Sequence, residues 1–235
     1  MATWNVGEHG ALEKLEPNLW TVEAAVPNLP LRRRMTLVRL GDGSVVVHSA
    51  VCLAEALQRE IDAWGTVRFV FVPNGWHRLD ARAYAERYPD ARVVCPDGAR
   101  KLVAKKVRVD GNPSLVPADS TLALEKLRGS RIEEHALVVR SGERVSLVFG
   151  DTVFNLPKLS GFHGWVYGAI GSTGAPKVTP LMRLVSVNDR SALRAQLETL
   201  TATPSLYRVI PGHGTVVEGA SDATAMMHAV CAGLA

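Results

Sequence analysis

A run of about eighteen apolar residues, the length that crosses a bilayer as a helix, is missing from the 235 residues of this chain. The opening stretch, MATWNVGEHGALEKLE, is polar and mixed in charge and lacks the apolar core of a signal peptide. Together these absences set the expectation of a cytoplasmic protein with no membrane partner. Cysteine is also scarce. Cys52, Cys95 and Cys231 are odd in number, far apart and without paired zinc-site spacing, so buried, reduced thiols are expected rather than a disulfide framework. Charge of one sign does not dominate, the net value being +4. Two basic clusters, Arg32 to Arg34 and Arg100, Lys101, Lys105, Lys106 and Arg108, lack the interleaved aromatics on which bases stack. They read as solvated faces or loops, and a nucleic-acid partner is not expected.

What is present is enough apolar material, 47 % of the residues, to bury a substantial core. Strand and helix signals alternate. LWTVEAAV (19–26), MTLVRL (35–40) and SVVVHSA (44–50) are β-rich, and the last two flank the turn Gly41-Asp42-Gly43. CLAEALQREIDAW places Leu53, Ala56, Leu57, Ile61 and Trp64 on one helical stripe that Gly65 ends. VRFVFV (67–72) reads as a strand buried on both faces, followed by a helix through Tyr84, the strand ARVVC and a basic helix. Further on, TLALEKL (121–127) and a hairpin of ALVVR (136–140) with RVSLVFG (144–150) precede a helix near 189–200, the strand LYRVI (206–210) and a terminal helix. Two halves that each run from strands into helices point to an α/β fold of two sheets packed face to face with helices outside. No linker divides the chain, so one domain over 1–235 is expected. Met226, Met227, Val230 and Leu234 form an apolar stripe on the terminal helix, expected in the core, with a homodimer contact as the other reading.

Three local signals follow predicted strands: VPNGWHRLD (72–80), FGDTVF (149–154) and IPGHG (210–214). A strand end is where an α/β sheet delivers side chains to a ligand. Asp151 offers a hard oxygen donor, and His213 sits between glycines that let the backbone turn tightly around an accessible imidazole. With His77 and Asp80 they make a mixed nitrogen and oxygen donor set suited to zinc or iron. Each also has a plainer reading: Asp151 as a turn cap, Asp80 as a helix cap, the histidines as hydrogen-bonded structural residues. GAIGSTGAPK (168–177) lacks the Gly-Lys-Ser/Thr ending of a phosphate loop and reads as a loop over the site.

Taken in order, PN..H after a strand, YPDA, LVFGDTVF and VIPGHGTVVEG resemble the metallo-β-lactamase superfamily over nearly the whole chain. LEPNLWTVE and MTLVRLGDGSVVVHS resemble its opening strands, and VHSAV, VPN..H and IPGHG resemble a function-unassigned branch. The resemblance implies a four-layer αββα sandwich and, in the family at large, two metal ions that activate water for hydrolysis; some branches use iron for redox work. It also places Asp151 at the family's bridging position and His213 at its last histidine.

The family's first ligand cluster, His-x-His-x-Asp-His, is not restored in either of two registers. One reads Asn74, Trp76, Arg78 and Leu79 and loses every ligand; the other reads Gly75, His77, Leu79 and Asp80 and keeps two donors. The family's next histidine has no clear counterpart, with His135, Glu133 and Glu134 as stand-ins, and its early Asp appears as His48. Asn74, Trp76, Arg78, His48 and His163 are expected to line the cleft, with Trp76 filling the volume of a lost ligand. A catalytic zinc takes about three protein ligands and an open position for water. The implied metal content is therefore none, or one weakly held zinc ion, with iron ranked below it. The expected function is a small-ligand, anion or partner-binding protein with a depleted metal site. A mononuclear metal-dependent hydrolase and an iron-dependent redox protein are the alternatives.

Overall fold

Apolar and β-branched runs in the first half of the chain pair in the order in which they occur. The computed structural model describes residues 3–158 and 171–234, and the chain forms two units, Met1–Ala123 and Leu124–Ala235. In the first, β1 (Glu13–Glu16), β2 (Leu19–Ala25), β3 (Arg32–Arg39), β4 (Ser44–His48), β5 (Thr66–Phe71) and β6 (Arg92–Val94) make one six-stranded sheet in sequence order. Strands β1 to β4 are antiparallel, the pattern that short turns permit. Strands β4, β5 and β6 are parallel, and the crossovers this requires are α1 (Glu55–Trp64) and α2 (Ala81–Arg87). A third helix, α3 (Asp97–Val103), follows β6. Leu37, Val45, Val47 and Val70 of the sheet share one apolar core with Leu53, Ile61 and Tyr84. The Tyr84 hydroxyl, the polar end of that core, donates to the Val51 carbonyl at 3.0 Å.

The basic triplet corrects the expectation of a solvated face. β3 begins three residues earlier than its apolar run, and Arg33 and Arg34 are 8 % and 6 % exposed. Each guanidinium finds a carboxylate from a neighbouring element: Arg34 with Glu23, Arg32 with Glu8 and Glu23, and Arg33 with Asp80. Desolvation still lowers the Arg34 pKa, only partly opposed by the charges of Glu23 and Glu13. β5 departs from expectation too: it begins one residue earlier, at Thr66, and Arg68 within the expected buried run is exposed.

In the second unit β7 (Leu122–Lys126), β8 (His135–Ser141), β9 (Arg144–Val148), β11 (Leu206–Ile210) and β13 (Val217–Glu218) form a sheet in the order β13-β11-β9-β8-β7. β8 and β9 are the expected hairpin, closed with Gly142 at φ 59°. β9 and β11 are parallel. Between them run α4 (Pro180–Val185) and α5 (Arg190–Thr201), the latter capped by Asp189, whose side chain accepts from the Ala192 N–H. The short strands β10 (Phe154–Asn155) and β12 (His213–Gly214) pair in parallel beside the sheet. The terminal helix, α6 (Ala220–Ala232), packs on β11 and α5. Its Met226, Met227 and Val230, with Leu234 beyond its end, are buried at 4 % exposure or less, as the core reading of that stripe expected. The three cysteines are free and buried, and no described helix is long and apolar enough to cross a membrane.

Candidate metal centre

The parallel pairing of β9 and β11 brings two loops to one end of the second sheet. The Phe149 N–H donates to the Ile210 carbonyl at 2.9 Å, the last rung before both chains leave the sheet. Two and three residues further on, Asp151 Oδ1 and His213 Nε2 lie 3.0 Å apart, with both side chains buried. The glycines around His213 are demanded by this approach. A Cβ on Gly212 would sit 2.2 Å from the Gly150 carbonyl oxygen. Gly214 has φ 102°, and a Cβ there would meet the Asn155 carbonyl oxygen at 2.1 Å. The imidazole plane is set by stacking on Phe154, with ring centroids 5.0 Å apart.

The Asp151 loop is held from beneath by Glu134. Its fully buried carboxylate accepts the N–H groups of Gly150, Asp151 and Thr152 at 2.9, 2.8 and 3.2 Å. Burial, with the charge of Asp151 adding to it, pushes the Glu134 pKa up to about 7 against the pull of those three donors. Glu134 therefore spends its acceptor capacity on backbone. Glu133 pairs with Lys126, and His135 Nδ1 bonds to the Glu133 carbonyl.

The first sheet repeats the device with β4 and β5. The Ser49 N–H donates to the Phe71 carbonyl at 3.0 Å, and beyond that rung a 2.5 Å hydrogen bond joins Ser49 Oγ to His77 Nδ1. Ser49 adopts φ 59°, an uncommon conformation for a residue with a side chain. His77 reaches it because the buried Asn74 side chain accepts from the N–H groups of Trp76 and His77 and folds the loop back. Asp80 goes elsewhere: its Oδ2 pairs with Arg33 and also accepts the Cys52 N–H at 3.1 Å. His48 is buried at the end of β4 and stacks on Phe71. Arg78 is half-buried, with Nη1 lacking a hydrogen-bond partner among the described residues. Trp76 corrects its expectation, because at 52 % exposure it fills no vacated ligand position. His163 and part of the 168–177 loop lie outside the described residues. Within 171–177, Lys177 Nζ donates to the Gly171 and Thr173 carbonyls and so ties the loop to itself.

No family model and no curated protein matches the sequence. Solved structures do match. A crystal structure of DIM-1 metallo-β-lactamase exposed to ceftazidime aligns with a TM-score of 0.62 at 14 % identity, over 96 % of this chain and 99 % of that one. A second DIM-1 metallo-β-lactamase structure aligns at 0.61 and 13 % identity with the same coverage. The chain has the metallo-β-lactamase fold. At such identity the likeness carries the architecture alone, so the chemistry rests on this chain's own side chains.

On this metallo-β-lactamase fold, the donor pair in the second unit fits a cation. Two ligand atoms at bonds of about 2.0 to 2.2 Å and tetrahedral angles lie roughly 3.3 to 3.6 Å apart. The Asp151–His213 separation of 3.0 Å reaches that with a shift of a few tenths of an ångström. The sequence offers His77, Asp80, Asp151 and His213 as donors; Asp151 stands beside His213, His77 bonds to Ser49, and Asp80 pairs with Arg33. It marks Glu134 only as a stand-in ligand and carries no signal for Ser49 in VHSAV.

Proposed function

We propose that this protein holds one divalent metal ion through His77, Asp151 and His213 and works as a mononuclear metal-dependent hydrolase. The observation that carries the reading is the buried Asp151–His213 pair at parallel strand ends; His77, buried in the loop after β5, is the third donor that the sequence offers for a His, His, carboxylate set. Two imidazoles and one carboxylate match known catalytic zinc sites, and bound zinc supplies Lewis-acid activation of water. Around that ion the chain's own groups set the geometry. Ser49 at Nδ1 of His77 leaves Nε2 as the ligating nitrogen, Glu134 fixes the Asp151 loop, and the paired glycines and Phe154 orient His213. A second metal is not part of the proposal, because Asp80 is committed to Arg33 and neither register of the first cluster supplies a full ligand set.

The engagement of Asp80 also favours a second reading, a metal-free protein that binds a small ligand. Elemental analysis of protein purified without chelator, beside His213→Ala and His77→Ala variants, separates the two. About one zinc per chain, lost in both variants, together with ester, lactone, thioester or phosphodiester hydrolysis that His213→Ala abolishes, supports the hydrolase. Protein that carries no metal and takes up no added zinc overturns it. One iron in place of zinc assigns the same ligands to oxidative chemistry, since two histidines and a carboxylate also form the iron facial triad.

A further inference from the structure

A second place for a ligand lies wholly within the first unit. Residues 3–7, the end of β2, the 51–52 segment and the start of α2 surround a cavity of about 520 Å³, inside the range of about 300 to 1,000 Å³ typical of small-molecule sites. Its charged lining is uneven: Arg33, Arg82, Lys105 and Lys106 face a single carboxylate, Asp80. Arg33 and Asp80 neutralise each other. Arg82 has a carboxylate partner in Glu86. Lys105 and Lys106, neighbours in the chain and both exposed, line the cavity and have no ion-pair partner among the described residues. The buried Arg33 guanidinium donates through Nη1 and Nη2, while its Nε has no hydrogen-bond partner among the described residues. The rest of the lining is mostly apolar, with Val51, Leu79 and Ala83 alongside Cys52, and carries two polar side chains, Thr3 and Asn5. The Cys52 thiol is pushed up to about 12, chiefly by burial. It stays protonated at neutral pH and is no nucleophile, so the cavity suits binding rather than covalent chemistry.

We infer that this cavity binds a phosphate group, carried on a compact organic molecule, through Lys105 and Lys106. Paired ammonium groups suit a dianion as point charges, and the apolar wall offers contact to a body the size of a sugar or an aryl ring. The inference is independent of the metal reading, since it uses none of His77, Asp151 or His213.

The test is a titration of the full chain, in excess EDTA and at constant chloride, with phenyl phosphate, inorganic phosphate and benzoate. It is read by calorimetry and by backbone amide shifts. Phenyl phosphate is expected to bind with shifts centred on Gly7, Cys52, Ala83, Lys105 and Lys106. A Lys105→Ala/Lys106→Ala variant is expected to keep its melting temperature and weaken binding about tenfold or more, while Lys105→Arg/Lys106→Arg retains it. Inorganic phosphate binding as tightly as phenyl phosphate at the same amides supports the phosphate subsite and assigns it to the free ion. Benzoate binding as tightly as phenyl phosphate, shifts centred on Asp151 and His213, or unchanged affinity in the double alanine variant overturns the inference.

Discussion

Asp151 Oδ1 and His213 Nε2 stand 3.0 Å apart because β9 and β11, which deliver them, are parallel neighbours that end level with one another. Parallel strands place both carboxyl ends on one side of a sheet, so a single rung of backbone bonding, Phe149 to Ile210, registers two loops far apart in the chain. The first sheet joins Ser49 to His77 by the same means across β4 and β5. Strand register brings each pair of loops together, and in the first sheet the Asn74 turn then folds His77 back onto Ser49.

Binding of an ion to the folded chain alone raises stability by linkage. Zinc at about a hundred times its dissociation constant is expected to add about 2.7 kcal/mol. Thermal denaturation with and without zinc measures it, and His213→Ala and Asp151→Asn should show no rise. An equal rise in those variants would place the ion elsewhere.

Gly212→Ala is expected to destabilise by about 1 to 3 kcal/mol, the usual cost of forcing atoms into a packed site. The new methyl has only backbone to press against, at the Gly150 carbonyl. Since that displacement moves the Asp151 and His213 loops apart, zinc uptake should fall with it. Urea denaturation beside zinc titration reads both, and a fully stable variant would count against the close packing of these loops.

Asp80→Ala separates a structural carboxylate from a ligating one. The Arg33 and Asp80 side chains are 9 % and 14 % exposed, so removing the acid leaves a largely buried guanidinium uncompensated. A loss of about 3 to 5 kcal/mol is expected, with zinc stoichiometry unchanged in the folded fraction. Loss of metal at unchanged stability would return Asp80 to the ligand set.

Alkaline pH is expected to weaken the fold from about pH 9 upward. Burial pushes Cys52 up to about 12 and Cys95 up to about 11, and raises Tyr84 as well. Each group holds its proton more tightly folded than unfolded. The stabilisation is therefore complete below the ordinary thiol pKa of about 9 and is lost as pH rises through the folded values. Denaturation midpoints at pH 8 and pH 10.5 test the sign. Cys52 is buried and its thiol holds its proton at pH 8, so thiol reagents should label Cys52 only on unfolding.

By itself the sequence determined where the chain forms strands and helices, because apolar periodicity and turn residues act locally. LWTVEAA, SVVVH, the 144–148 strand and the capped helix after Asp189 stand where their patterns placed them. It also determined the turn around His213, since two glycines beside one histidine state a demand for close backbone approach that the Gly150 and Asn155 carbonyls explain. The tertiary structure alone decided which polar side chains are available. Arg33 and Asp80 are 47 residues apart, and only the fold, which brings the residue before α2 against the start of β3, turns a basic run and a candidate ligand into one buried ion pair. Trp76 lies exposed and Glu134 buried for the same reason, and Ser49 meets His77 through the neighbouring strand. Local pattern specifies backbone conformation, whereas the partner of a buried charge or hydroxyl is chosen by segments distant in the chain, and no short motif records that choice.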